Sequence, residues 1–200
     1  MNRTVKITSG KFRGRILEAP GGDTHPMGER ERLALFNMIS GYLPGATVLD
    51  AFAGSGALGF EALSRGAKEV LFVDSSPKAE NCIIDNMMSL GYFAILNSRP
   101  RLARDMIRYA EESGFLRQEK VDVVRKKVLA FKTDLRFDLI LADPPYDRFN
   151  LSEVKHLVQF LKIGGIFVLS HPGEVTEIPH LKLQKTRKYA GAIISIFVKE

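Results

Sequence analysis

The apolar positions of this chain recur with two different periods, and the change between them marks its organisation. Val5-Lys6-Ile7-Thr8 and Arg15-Ile16-Leu17 alternate apolar and polar residues as half-exposed strands do, and Ser9–Gly14 between them carries turn glycines. This predicts a basic β-hairpin over residues 1–24, an extension of a main domain over 25–200. Ala19-Pro20-Gly21-Gly22-Asp23 reads as a loop. Pro26 then turns the chain into a helix over Glu29–Ser40, with Leu33, Phe36 and Ile39 at helical spacing and Gly41 as its stop.

Beyond Gly45 the pattern becomes strand, helix, strand. Thr47-Val48-Leu49 predicts a short strand, Ala57–Arg65 a helix closed by Gly66, and Glu69–Val73 a second buried strand. Ser76 and Pro77 supply an N-cap and a first-turn proline for a helix reaching Leu90, capped by Gly91. Val121–Val124 and Phe137–Ala142 follow as strands, then a helix over Leu151–Leu161, a glycine pair at Gly164-Gly165 and a strand over Ile166–Leu169. Leu181–Lys188 and Ala192–Lys199 read as a closing hairpin. Residues 97–118 exceed a minimal unit; Arg101, Arg104 and Arg108 on one face suggest an inserted helix with a solvated side. Alternating buried strands and amphipathic helices predict an α/β fold with a doubly wound sheet, which binds ligands beyond the carboxyl ends of its strands.

Composition narrows the class without naming an activity. With 45% apolar and 26% charged side chains in 200 residues, the chain is one globular domain and excludes disordered, collagen-like and coiled-coil proteins. No apolar run approaches the ~18 residues of a membrane span, and the polar start lacks a signal-peptide stretch. The single Cys82 forbids an internal disulfide, and the four scattered histidines predict no metal site. A cytoplasmic monomer without a membrane partner is expected. The formal charge is +6, and the first twenty residues set Arg3, Lys6, Lys11, Arg13 and Arg15 against Glu18 alone. Such a bias favours a polyanionic partner.

Two loops carry the chemistry. Gly54, Gly56 and Gly59 match G-x-G-x-x-G between a strand and a helix, where bare backbone can approach a nucleotide cofactor. Asp74 closes the next strand, placed to accept from ribose hydroxyls. Asp50, delivered to the mouth of the loop, repels a pyrophosphate but attracts a cation. S-adenosylmethionine carries an ammonium, a sulfonium and no phosphate, so the charge pattern favours it over NAD. The second loop is Asp143-Pro144-Pro145-Tyr146. Two prolines cannot continue a sheet, and they leave carbonyl acceptors without competing N–H groups. The Asp143 carboxylate and the Pro144 carbonyl suit the two N–H donors of an exocyclic nucleobase amine, and Tyr146 offers an extruded base a flat face.

Together these residues resemble the class I S-adenosylmethionine-dependent methyltransferases of exocyclic amines, whose signature is [D/N]-P-P-[Y/F/W]. Ser9–Arg15, Pro26 with Arg30 and Arg32, Leu35-Phe36-Asn37, Leu49–Gly59, Glu61–Arg65 and Lys188–Gly191 further resemble the RsmD-type bacterial 16S rRNA guanine-N2 methyltransferases. The resemblance implies a Rossmann-like seven-stranded sheet with an antiparallel last strand. It implies direct in-line methylation of the N2 amine of a guanine in 16S rRNA, within the small ribosomal subunit or its assembly intermediate. Asp143, Pro144 and Tyr146 would be catalytic, and Asp50, Phe52, Ala53, Gly54, Gly56, Asp74 and Ser75 would hold the cofactor. Lys11, Arg13 and Arg15, with Phe12 as a stacking ring, and Arg30 and Arg32 would bind RNA. The sequence departs from the family pattern at His25, at Met27, and near Lys127, where an adenine-contacting carboxylate is usual. The competing readings are a DNA adenine-N6 methyltransferase, an NAD-binding oxidoreductase and a non-catalytic RNA-binding relative.

Overall fold

The short alternating segments at the amino terminus form a sheet of their own. In the computed structural model, which describes residues 4–21, 27–92, 119–173, 175, 177–189 and 192–200, β1 (Thr4–Lys6) and β2 (Ile16–Glu18) pair antiparallel, with Val5 opposite Leu17. The main sheet contains β3 (Thr47–Ala51), β4 (Glu69–Asp74), β5 (Lys120–Arg125), β6 (Phe137–Ala142), β7 (Leu161–His171), β8 (Leu181–Tyr189) and β9 (Ala192–Lys199). Its spatial order is β5-β4-β3-β6-β7-β9-β8. The first five of these are parallel, and β9, the last in sequence, runs antiparallel between β7 and β8. The order reverses between β3 and β6, the kind of switch point at which doubly wound sheets leave a crevice.

Period-two alternation divides the core between the two faces. Val48, Leu139, Val168 and Ile194 face α1 (Glu29–Met38), α2 (Ala57–Ser64), α3 (Pro77–Ser89) and the hairpin residues Val5, Ile7, Phe12 and Leu17. Leu49, Ile140, Phe167 and Phe197 face α4 (Leu151–Val158) and the turn at Val128–Ala130. The hairpin therefore shares the core of the main sheet. It roofs α2, all eight of whose residues are buried.

Three local expectations change. In α1 the buried positions are Arg32, Leu35 and Phe36, while Leu33 is exposed, because a charged partner on α2 draws the arginine inward. The helix before Gly164 stops at Val158, and β7 already begins at Leu161. Leu161 pairs with Phe137 and Ile166 with Leu139, so residues 162–165 bulge out, a detour that Gly164 permits at φ +75°. The helix expected over 97–118 lies outside the described residues, as do His25 and Pro26. Cys82 donates its thiol to the Glu18 carbonyl at 3.0 Å, a packing role.

Candidate active site

The alternation of β3 turns Val48 and Asp50 to the α2 side of the sheet. The Asp50 carboxylate there accepts from the Gly59 amide at 2.8 Å and is almost completely buried. Burial holds its carboxyl well above the usual range; Asp143 and Asp74 push it further up, and the Gly59 amide opposes them. The chain then turns sharply through Phe52, an aromatic residue at φ +61°, a left-handed conformation that costs roughly 1–3 kcal/mol and gathers at functional sites. Asp74 fastens this loop to the end of β4: one carboxylate oxygen accepts from Gly54 N–H at 2.9 Å and the other from Ser76 N–H at 2.8 Å. Each oxygen keeps a lone pair for a further donor.

The three loop glycines do different work. A methyl group at Gly54 (φ +57°) would meet nothing nearer than 4.0 Å, so its bareness serves the turn and the space in front of it. At Gly56 it would lie 2.6 Å from the Phe60 ring, and at Gly59 2.3 Å from Phe72. Gly54 lines the cavity described below; Gly56 does not, and its lack of a side chain is a core-packing requirement. Asn86, a buried helix residue to which the sequence gives no role, ties the loop to the hairpin. Its amide donates to the Ser55 carbonyl at 3.0 Å and to the Glu18 carbonyl at 2.9 Å.

Asp143 leaves the end of β6 with its carboxylate held by the Ser170 hydroxyl and the Met27 amide. Burial outweighs these donors and raises its carboxyl to about 6. Ser170, buried at the end of β7, also lies 2.5 Å from the Tyr146 hydroxyl. One hydroxyl has one proton, so Tyr146 donates to Ser170 and Ser170 to Asp143. The following short turn uses the Pro145 carbonyl, which accepts from Arg148 N–H at 3.2 Å. Among the described residues the Pro144 carbonyl accepts no backbone hydrogen bond. Ser170 was readable as a polar residue closing an apolar strand; the Met27 amide leaves no sequence signal.

Asp50, Phe52, Ala53, Gly54, Asp74, Ser75, Asp143, Pro144 and Tyr146 all line one open cavity of about 1120 Å³ at the β3/β6 switch point. That exceeds the roughly 300–1,000 Å³ of ordinary small-molecule sites and leaves room for a cofactor together with a base. Lys126 and Lys127 form its outer rim beyond β5.

The expected RNA-binding residues separate into two groups. Arg13 and Arg30 are exposed, and Arg15 reaches the Ser89 carbonyl at 2.5 Å from an exposed position. Lys11 is exposed but pairs with Glu119 and lies 5.0 Å above the Phe12 ring. Phe12 is no stacking platform: it is buried and packs edge-on against Tyr92, centroids 5.8 Å apart. Arg32 is no phosphate ligand either. Its guanidinium is buried, donates to the Lys6 carbonyl at 2.5 Å and the Met27 carbonyl at 3.0 Å, and lies 3.8 Å from Glu61. It is a clamp that fixes the Met27 segment whose amide reaches Asp143. Glu61, fully buried, accepts from Thr8 N–H (2.8 Å), the Thr8 hydroxyl (2.6 Å), Ser9 N–H (3.1 Å) and Arg65 (2.7 Å). A carboxylate inside the apolar run Ala57–Leu63 was the available sign of such a hub.

Known proteins resemble this chain in sequence and fold. The family model described as "Conserved hypothetical protein 95" matches residues 5–198. "Putative rRNA methyltransferase YlbH" of Bacillus subtilis is 33% identical over 200 residues, covering 97% of each chain. "Ribosomal RNA small subunit methyltransferase D" of Haemophilus influenzae is 32% identical over 150 residues, 74% of this chain and 67% of that protein. Among solved structures, "Putative methyltransferase yhhF from Escherichia coli" superposes with a TM-score of 0.75 at 25% identity over 99% of both chains. The N-methyltransferase NodS of Bradyrhizobium japonicum, solved with S-adenosyl-L-homocysteine, shares the fold at 16% identity, with a TM-score of 0.54 over 88% of this chain and 89% of its own. The chain belongs to the Conserved hypothetical protein 95 family, the RsmD family, and is a methyltransferase.

Proposed function

We propose that the chain methylates the N2 amine of a guanine in small-subunit ribosomal RNA, using S-adenosylmethionine, in the cytoplasm on the small subunit or its assembly intermediate. The observation that carries this reading is the pair of acceptors at the cavity wall, the Asp143 carboxylate and the Pro144 carbonyl. They stand beside a cofactor end lined by Asp50 and Asp74. Asp74 beside the glycine loop and Asp143 across the cavity, with Asp50 ready to ionise against a cation, fit a cationic ligand and disfavour a pyrophosphate, which sets NAD aside. Gly54 gives the ligand access to the backbone, Asp74 retains acceptor capacity for ribose hydroxyls, and Asp50 faces the ammonium and sulfonium end. Phe52, Ala53 and Ser75 complete that wall. When bound, S-adenosylmethionine supplies an electrophilic methyl on a good leaving group.

The protein's own task is then orientation. Asp143 and Pro144 accept the two amine hydrogens, which draws the nitrogen lone pair out of the ring and toward the methyl. Tyr146 presents its ring to the extruded base while its hydroxyl is fixed by Ser170. Exposed Arg13, Arg15, Arg30 and Lys11 supply charge for the RNA backbone.

Two measurements test the reading. In a thermal-shift titration S-adenosylmethionine should raise the melting temperature and NAD should not, since only a ligand bound to the folded state stabilises it. Small-subunit rRNA from cells lacking the gene, digested to nucleosides, should lack one N2-methylguanosine per molecule that the wild-type gene restores. An unchanged nucleoside profile would refute the substrate assignment.

A further inference from the structure

The edge of the main sheet carries charge that the site does not use. Strand β8 holds Lys182, Lys185, Arg187 and Lys188 and no acidic residue, in a chain whose formal charge is +6. None of its nine residues is buried, although the strand pairs with β9 along its whole length. Lysines on an edge strand also guard against edge-to-edge pairing, a role that is indifferent to position along the strand. Here position matters. Lys182, at the far end, is 3.0 Å from Glu200, which neutralises it locally. Of the other three, Lys185 stands mid-strand, and Arg187 and Lys188 stand at the end nearest the cavity.

The register fixes how near. Ser170 of β7 lies opposite Ile194 of β9, and Ile194 lies opposite Arg187; His171 lies opposite Ile193, and Ile193 opposite Lys188. Arg187 and Lys188 thus stand level with the serine that holds Asp143 and Tyr146. They are three strand spacings from β6, roughly 14 Å at about 4.8 Å each. Cross-strand partners share a face, so Lys185 (opposite Ile196) and Arg187 (opposite Ile194) lie on the face that carries α1 and the hairpin. On that face α1 contributes exposed Arg30, with Glu29 as its exposed acidic neighbour.

We propose that Lys185 and Arg187 form a second RNA-contact surface, which holds backbone phosphates within a few nucleotides of the base seated at Asp143. The inference rests on the rRNA reading above. Phosphates suit it because the surface is cationic and exposed, the character of a backbone contact rather than of a protein interface.

The test is the double variant Lys185→Glu/Arg187→Glu, assayed for methyl transfer to small ribosomal subunits from cells lacking the gene. The expected result is a KM for the particle raised at least tenfold, with kcat and the S-adenosylmethionine Kd within twofold of wild type. The slope of log K against log salt should fall by about 1.4–1.8, as expected for two lost phosphate contacts. Lys185→Gln/Arg187→Gln should give a smaller shift in the same direction, which covers the case in which the reversed charges disturb folding. Lys68→Glu/Lys120→Glu makes the same change of charge at the opposite edge of the sheet, where both residues are exposed, and should match wild type. A wild-type KM and salt slope in both β8 variants would overturn the inference while leaving the rRNA reading intact. So would an equal loss in the opposite-edge control, which would assign the effect to net charge. If the wild-type enzyme transferred no methyl to RNA, both would fall together.

Discussion

An aspartate that is to accept one amine hydrogen, with the Pro144 carbonyl accepting the other, acts in its ionised form, and Asp143 lies where ionisation is costly. Its carboxyl is raised to about 6 by burial, against the pull of Ser170 and Met27. The active form is therefore lost as pH falls, and kcat/KM should decline below an apparent pKa near 6 in a pH–rate profile. Ser170→Ala removes one of the two donors, so the acid limb should move to higher pH while the alkaline plateau changes little. A uniform loss at every pH would assign Ser170 to structure alone. Asp143→Ala should lower kcat roughly 10²–10³-fold, the scale seen when one preorganised polar contact is removed, with little change in cofactor Kd. Equal losses in both would contradict the division of labour. Asp50, Asp74 and Asp143 were legible in the sequence because each is a lone carboxylate closing an apolar strand. The Met27 amide was not, and Ser170, visible only as a polar residue closing an apolar strand, takes its meaning from partners on other segments.

At the scale of elements, α2 is held between the sheet and the hairpin by polar contacts that a globular core tolerates only when they are complete. Ser64 O accepts from Lys11 N–H at 2.8 Å, the Ser64 hydroxyl bonds Ser9, and a methyl group at Gly10 would fall 1.8 Å from the Ser64 carbonyl. Glu61 is the centre of this joint. Glu61→Ala would strand Arg32 and Arg65 without their carboxylate, at a cost of about 3–5 kcal/mol. Urea denaturation should register it as a large drop in midpoint, against a total stability of about 5–15 kcal/mol for an ordinary domain. Gly59→Ala forces a methyl group onto Phe72 and Val70 and should lower the melting temperature by an amount corresponding to about 1–3 kcal/mol. Gly54→Ala meets no such neighbour; beyond the strain of its positive φ it should act mainly on cofactor affinity, read by titration calorimetry. The strands and helices themselves followed from periodicity. Periodicity failed at α1, where Leu33 rather than Arg32 was expected inside, because the arginine's burial depends on Glu61, twenty-nine positions away. The stacking role expected of Phe12 fails for a similar reason, since its burial follows from the docking of the hairpin against Ser64 of α2 and against Tyr92.

Across the whole molecule, function follows from strand order. The reversal between β3 and β6 opens the crevice, and the loops after those two strands bring the glycine turn and the Asp-Pro-Pro-Tyr turn to its opposite sides. Both turns were recognisable from sequence because glycine and proline leave local signatures. The charge of the chain was legible only as a total; its arrangement along β8, level with Ser170, depends on the pairing register. The most direct measurement is transfer of labelled methyl from S-adenosylmethionine to small ribosomal subunits from cells lacking the gene, with the labelled nucleoside identified after digestion. Label on guanine N2 with the wild-type enzyme, and none with Asp143→Ala, is the expected result. Label on adenine, label that survives Asp143→Ala, or no label from an enzyme that S-adenosylmethionine visibly stabilises would contradict it.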